Sequence, residues 1–179
     1  MRNQQNWVRW QKTGYKEGLR RIQAHRDKFS KLWDNFVEIA EWAIEHRNAI
    51  VAIEWPRVCA YWADTSVREF LDAHQMVPAH FDGCMYGVEC RKPWTVYTNS
   101  HELATGLAWK KTCTHKCKHP TLHGEDLKLT GSYTPQLAKR IHDCFRHVVE
   151  DENRSSGLRG VSKVTLPQNH NYVQYTVRN

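Results

Sequence analysis

Residues 49–56 read Ala49-Ile50-Val51-Ala52-Ile53-Glu54-Trp55-Pro56, and the fold turns on how this run is taken. Its β-branched residues favour extended backbone, its apolar density suits a strand covered on both faces, and Pro56, which has no N–H for a ladder, ends it. The run reads as the centre of a sheet. Upstream, Phe29, Leu32, Trp33, Phe36, Val37, Ile39, Ala40, Ala43 and Ile44 recur at helical spacing between Lys28 and His46, with Ser30 available as a cap. Downstream, Ser66-Val67-Arg68-Glu69 has the form of a capping box and opens a short helix ending near Gln75.

The alternation continues. Val77 to Phe81 forms a strand up to Asp82-Gly83, Cys84 to Val88 continues extended, and Lys92-Pro93 leads into a strand at Trp94-Thr95-Val96-Tyr97. Asn99 or Ser100 caps a helix from His101 to about Trp109. Thr134 caps a last helix with Pro135 in its first position and a stripe of Leu137, Ala138, Ile141, Cys144, Phe145, Val148 and Val149. The expected fold is α/β, a single three-layer Rossmann-like domain over residues 32–150. A basic helical arm (1–31) precedes it, and a linker and C-terminal tail (151–179) follow. Within that tail, residues 161–177 read as an edge strand or a disordered segment.

With 179 residues, 40% hydrophobic and 25% charged, the chain can bury one sizeable core. It has no run of about 18 apolar residues to span a bilayer and no apolar signal stretch after Met1, so the expectation is an intracellular protein with reduced thiols and no membrane partner. Its net charge of +7 is concentrated at one end. Residues 1–31 hold nine Lys or Arg against Glu17 and Asp27, and the other residues balance at seventeen against seventeen. Arg9, Lys12, Lys16, Arg20 and Arg21 lie there beside Trp7, Trp10 and Tyr15. Cations interleaved with aromatics suit a nucleic acid, since ammonium and guanidinium groups displace counterions and rings stack on bases. A solvated helix face whose aromatics pack on the body is the simpler alternative.

Residues 113–123, Cys-Thr-His-Lys-Cys-Lys-His-Pro-Thr-Leu-His, crowd thiols and imidazoles into a stretch too polar for a core. These are the donors that zinc prefers, and Cys113, Cys117 and His119 are spaced to wrap one ion. The fourth ligand is then Cys84, placed to point outward after Asp82-Gly83, or His123 nearby; His115 is a further option. Zinc would give the loop at 110–124 the rigidity that a core otherwise supplies. A basic loop with idle cysteines is the competing reading, because Lys110, Lys111, Lys116 and Lys118 surround the ligands.

Two carboxylates occupy strand ends, where open α/β sheets place reactive groups: Glu54 and Asp82. With Arg57, Lys92 and Asn99 beside them they could line a cleft and hold a divalent ion for nuclease chemistry. The plainer alternative pairs Glu54 with Arg57 or Lys92 and makes Asp82 the Asp of a turn.

Ile53-Glu54-Trp55-Pro56, Asp82-Gly83-Cys84-Met85-Tyr86-Gly87, Lys92-Pro93-Trp94, Thr98-Asn99, Cys113 with Cys117 and His119, and Tyr133-Thr134-Pro135 form an ordered series. It resembles poorly characterised α/β domains of mobile-element and retrotransposon polyproteins. More faintly it resembles the C-terminal half of phage-type DNA cytosine methyltransferase-like proteins. The similarity covers roughly residues 30–150. It implies α/β descent, places Glu54 where an acidic residue contacts the target base, and sets Cys84, Cys113, Cys117 and His119 at recurrent Cys/His positions. The chain departs from the methyltransferase pattern in having no G-x-G pair, no Pro-Cys nucleophile and Trp55 at a polar position.

The function expected is therefore a zinc-containing nucleic-acid-binding domain of a mobile-element-type protein. Phosphate contacts would come from the basic arm with Lys110, Lys111 and Lys116, and would fix position without reading sequence. A nuclease or degenerate methyltransferase-like enzyme acting through Glu54 and Asp82 is one alternative. A protein-interaction module of a larger polyprotein is another.

Overall fold

The structure, a computed structural model, describes residues 2–108, 112–114, 116, 118–121 and 131–155. The chain runs through α1 (Arg2–Thr13), α2 (Lys16–Arg47), β1 (Ala52–Pro56), a 3₁₀ turn (Ala60–Ala63), α3 (Thr65–Ala73), β2 (Val77–Asp82), a second 3₁₀ turn (Gly83–Tyr86), β3 (Pro93–Thr98), α4 (His101–Ala108) and α5 (Pro135–Ser155). The strands are ordered β1-β3-β2 and both pairings are antiparallel, with Glu54 opposite Val96 and Ala79 opposite the same residue. The mixed α/β class is present. A Rossmann-like sheet needs parallel strands joined by crossovers, and no pair among the described strands is parallel.

The central strand is β3 rather than the run at 49–56. Its burial is nearly continuous, whereas Ala52 and Pro56 at the ends of β1 are exposed. The apolar run also enters its ladder late. Asn99 accepts the Val51 N–H at 2.8 Å and donates to the Ala49 carbonyl at 3.0 Å, so a side chain takes the place of ladder partners ahead of Ala52. Asn99 is thus a backbone clamp.

Alternation along the strands divides the apolar residues between two faces. Ile53, Trp55 and Tyr97 pack with Trp33 and Ala40 of α2 and with Val67, Phe70 and Leu71 of α3. On the other face Ala79, Phe81, Trp94 and Val96 pack with Leu103 and Leu107 of α4 and Leu137, Cys144 and Val148 of α5. Phe81 and Trp94 are 1% and 2% exposed, and burial of each contributes about 1.5–3 kcal/mol. Gly106 lets α4 and α5 approach, since a Cβ there would lie 2.7 Å from Cys144 Sγ.

Helix α2 is continuous from Lys16 to Arg47, so the boundary drawn after residue 31 falls inside it. It stops where Asn48 turns left-handed (φ 47°) and the Asn48 and Ala49 N–H groups return to Ile44 and Ala43, a Schellman ending. α1 folds back along it. A Cβ at Gly18 would lie 2.4 Å from the Trp10 ring, and the Trp7 ring meets His25 edge-on at 4.9 Å, so both indoles serve packing while Tyr15 stays exposed.

Caps at Ser100 and Thr134 form as expected, accepting the N–H groups of Leu103 and Leu137 at 3.1 and 3.2 Å. The cap of α3 is Asp64, upstream of the expected Ser66, because its carboxylate accepts both the Ser66 N–H and the Ser66 hydroxyl. Cys84 to Val88 is not extended. The Val88 N–H returns to the Gly83 carbonyl at 3.1 Å and Gly87 sits at φ 84°, which closes the segment into its 3₁₀ turn. No helix among the described residues is long and apolar enough to cross a membrane.

Candidate metal centre

β2 ends at Asp82 and turns at once, so Cys84 stands at the end of the sheet. The turn is tied to the chain entering β3: Gly83 N–H donates to the Lys92 carbonyl at 3.0 Å and Cys84 N–H to the Arg91 carbonyl at 3.4 Å. This approach leaves little room, as a Cβ at Gly83 would meet the Lys92 carbonyl oxygen at 3.2 Å.

The second thiol arrives from beyond α4, whose exit is fixed by side chains. The Tyr86 hydroxyl donates to the Leu107 carbonyl at 3.0 Å, and the Arg140 guanidinium donates to that of Gly106. These take carbonyls that a helix end leaves without intrahelical partners. Cys113 is then held by Asp82, whose Oδ2 accepts the Cys113 N–H at 2.9 Å. Asp82 is fully buried, with Arg91 Nε at 3.3 Å from Oδ2 and Arg57 Nη2 at 3.6 Å from Oδ1. Removing a carboxylate from water costs several kcal/mol; the Cys113 N–H and Arg91 Nε offset this at Oδ2, while Oδ1 accepts no hydrogen bond among the described residues and has the Arg57 charge beside it.

Cys113 Sγ lies 3.0 Å from His119 Nε2, and the donor atoms of Cys84, Cys113 and His119 all fall within 4.8 Å of one another. Tetrahedral zinc with its usual bond lengths needs donors about 3.5–3.8 Å apart. Shifts of about 1 Å or less bring the three into that range, and the donor set suits a borderline-soft ion. Burial, then the neighbouring Cys113 and Asp82, push the Cys84 thiol up to about 11. The Cys84 thiolate is disfavoured there until a cation sits beside it. Cys117, His123 and His115 lie outside the described residues, as do Lys110, Lys111 and the tail at 156–179. Of the lysines in this loop, Lys116 and Lys118 are described, and both are exposed.

The two carboxylates face apart. Register puts Glu54 opposite Val96 and Asp82 opposite Pro93, on opposite faces of the sheet. Glu54 accepts the Tyr133 hydroxyl at 2.9 Å, and Lys92 Nζ lies 4.8 Å from the Trp94 ring centroid, against which Tyr133 stands edge-on. Burial raises the Glu54 carboxyl above its ordinary range, opposed in part by Tyr133 and Lys92, and burial lowers the Lys92 ammonium. Arg57 bonds instead across the sheet, to the Phe81 carbonyl at 3.2 Å, and approaches Asp82.

On the arm, Arg9, Lys12, Lys16, Arg20 and Arg21 are exposed. Arg20 and Arg21 share Glu17, at 3.7 and 3.1 Å. Arg9, Trp10, Thr13, Tyr15 and Arg21 line a shallow groove of about 560 Å³.

The sequence placed Arg57 beside Glu54 and Asp82, and the structure brings it to Asp82; Arg91 at Asp82, and Tyr86 and Arg140 at the end of α4, were missed. One signal was available, an acidic residue closing an apolar strand, which calls for a counter-charge nearby. No known protein family matches the chain, and neither a curated protein nor a solved structure matches it significantly.

Proposed function

We propose that the chain is a zinc-stabilised nucleic-acid-binding domain working inside the cell, in keeping with its resemblance to mobile-element polyprotein domains. The observation that carries this reading is the convergence of Cys84, Cys113 and His119 at the end of β2, held by the buried Asp82. Cys117 is assigned as the fourth ligand, with His123 in reserve. Zinc there is structural: it fastens the segment after α4 to the sheet, and its binding energy becomes folding energy.

The nucleic acid is assigned to the exposed cations of α1 and the start of α2, where Arg9 and Tyr15 share a groove, together with Lys110, Lys111 and Lys116. Binding is backbone-directed and salt-dependent. Each phosphate left unneutralised should lower the slope of log affinity against log salt by about 0.9 on duplex DNA or about 0.7 on single strands. Charge removal at Arg9, Lys12 and Lys16 in the full chain, titrated against both, tests this; an unchanged slope rejects the assignment.

An enzymatic reading keeps one supporting feature, the Glu54–Tyr133–Lys92 cluster. Asp82, being wholly buried, would then serve to position Cys113 rather than touch substrate. That reading requires turnover of DNA or RNA with Mg²⁺, Mn²⁺ or S-adenosylmethionine, abolished by Glu54→Gln without loss of affinity.

A further inference from the structure

The outer face of α2 carries an apolar seam that packing among the described residues does not use. Leu32, Ile39 and Trp42 are 51%, 69% and 52% exposed, outside the two cores that take most of the large apolar side chains. They are not scattered. Lys28, Leu32, Asn35, Ile39, Trp42 and His46 follow one another at alternating steps of four and three, the spacing of a coiled-coil seam. The inward residues Trp33 and Ala40 lie on another side of the helix, committed to the core. α1 folds over the early part of α2, with Trp10 over Gly18 and Trp7 at His25.

Charge says what fits there. Residues 16–31 of α2 hold six Lys or Arg against Glu17 and Asp27, and residues 32–47 hold four acids against Arg47. A helix divided in this way is complementary to its own reverse. We propose that two copies of this chain pair antiparallel through the exposed face of α2, about a two-fold axis near Val37 and Glu38. The layers are then Leu32 against Trp42, Asn35 against Ile39, and Lys28 against His46, each occurring twice. Lys31 of each copy lies beside Glu45 of the other, while Glu38 meets its own counterpart at the axis. Two attractive pairs oppose one repulsive pair. Arg9, Lys12, Lys16, Arg20 and Arg21 lie outside the overlap, so the pairing leaves the cationic arms free at opposite ends.

Equilibrium sedimentation of the full chain over a concentration series tests this. The expected result is a reversible shift from the 21.1 kDa chain to twice that mass. Ile39→Asp should weaken the association by about tenfold or more, as loss of a central apolar anchor does. Lys31→Glu and Glu45→Lys should each weaken it, and the two together should restore it, because the swap exchanges the partners' charges without changing the pattern. Circular dichroism of each variant separates a lost interface from a lost fold. A monomer at every concentration overturns the proposal, as does a dimer indifferent to Ile39→Asp. A blue-shifted Trp42 contribution in the monomer, read as the difference in emission between the parent and Trp42→Phe, also overturns it, since another segment of the same chain would then hold the seam.

Discussion

Asp82 and Cys113, 31 residues apart, are joined by a 2.9 Å hydrogen bond from the Cys113 N–H to a carboxylate with no exposure to solvent. This bond sets where the second thiol stands. Asp82→Ala leaves that N–H and Arg91 without their acceptor and Arg57 without its counter-charge, and should cost about 2–4 kcal/mol. Metal affinity should fall by about 10–100-fold, the usual effect of losing a group that orients a ligand. Asp82→Asn retains an acceptor oxygen and should lose less of both. Denaturant titration with metal analysis decides it; undiminished affinity in Asp82→Ala would remove Asp82 from the site.

Purified protein should contain about one zinc per chain, and a strong chelator should lower its Tm by several degrees. Cys84→Ser and Cys113→Ser should each abolish that response, since the protein would already lack its ion. Cys59→Ser, outside the cluster, should keep it. Equal Tm values with and without chelator would show that zinc has no structural part here.

Gly106→Ala tests the contact between α4 and α5. Alanine normally gains about 1 kcal/mol over glycine within a helix, yet here its Cβ would lie 2.7 Å from the buried Cys144 sulfur. The clash should win, with a net loss of about 1–3 kcal/mol. Cys144→Ala in the same chain should recover much of that loss. Additive effects in this cycle would mean that the two residues do not meet.

Glu54 gives the pH prediction. Burial raises its carboxyl above the ordinary 4.5, so the folded chain binds a proton more tightly than the unfolded chain does. The stabilisation is fully present below pH 4.5 and is lost as pH rises through the folded value. Glu54→Gln keeps an acceptor for the Tyr133 hydroxyl and removes the charge. At pH 7 it should be more stable than the parent by about 0.5 kcal/mol, and the advantage should shrink toward pH 4. A variant less stable than the parent at pH 7 contradicts this account of Glu54.

Local rules carried the sequence reading far. The helices capped by Ser100 and Thr134 begin where one side chain and its nearby N–H dictate, and β2 and β3 were legible because alternation and Pro93 mark them within six residues. Cys84's place in the cluster was reachable because its position after Asp82-Gly83 implied an outward thiol. What could not be read was long-range. That Asn99 takes the place of ladder partners ahead of β1, or that β3 passes between β1 and β2, depends on pairings between segments distant in the chain, 48 residues in the case of Asn99 and Val51. The apolar run at 49–56 suits an edge strand under two helices as well as a central one, so composition alone could not choose. Arg91 at Asp82 stayed hidden for the same reason, since it comes beside the carboxylate only once β2 and the chain entering β3 are aligned.

The antiparallel order β1-β3-β2 leaves two outward rims, and proline stands on both strands that form them, Pro56 on β1 and Pro78 on β2. Neither can donate an amide proton to an incoming segment, and both interrupt the row of groups that strand addition requires. Growth by β-augmentation is therefore discouraged at either side of the described sheet, which guards the fold against amyloid-like stacking.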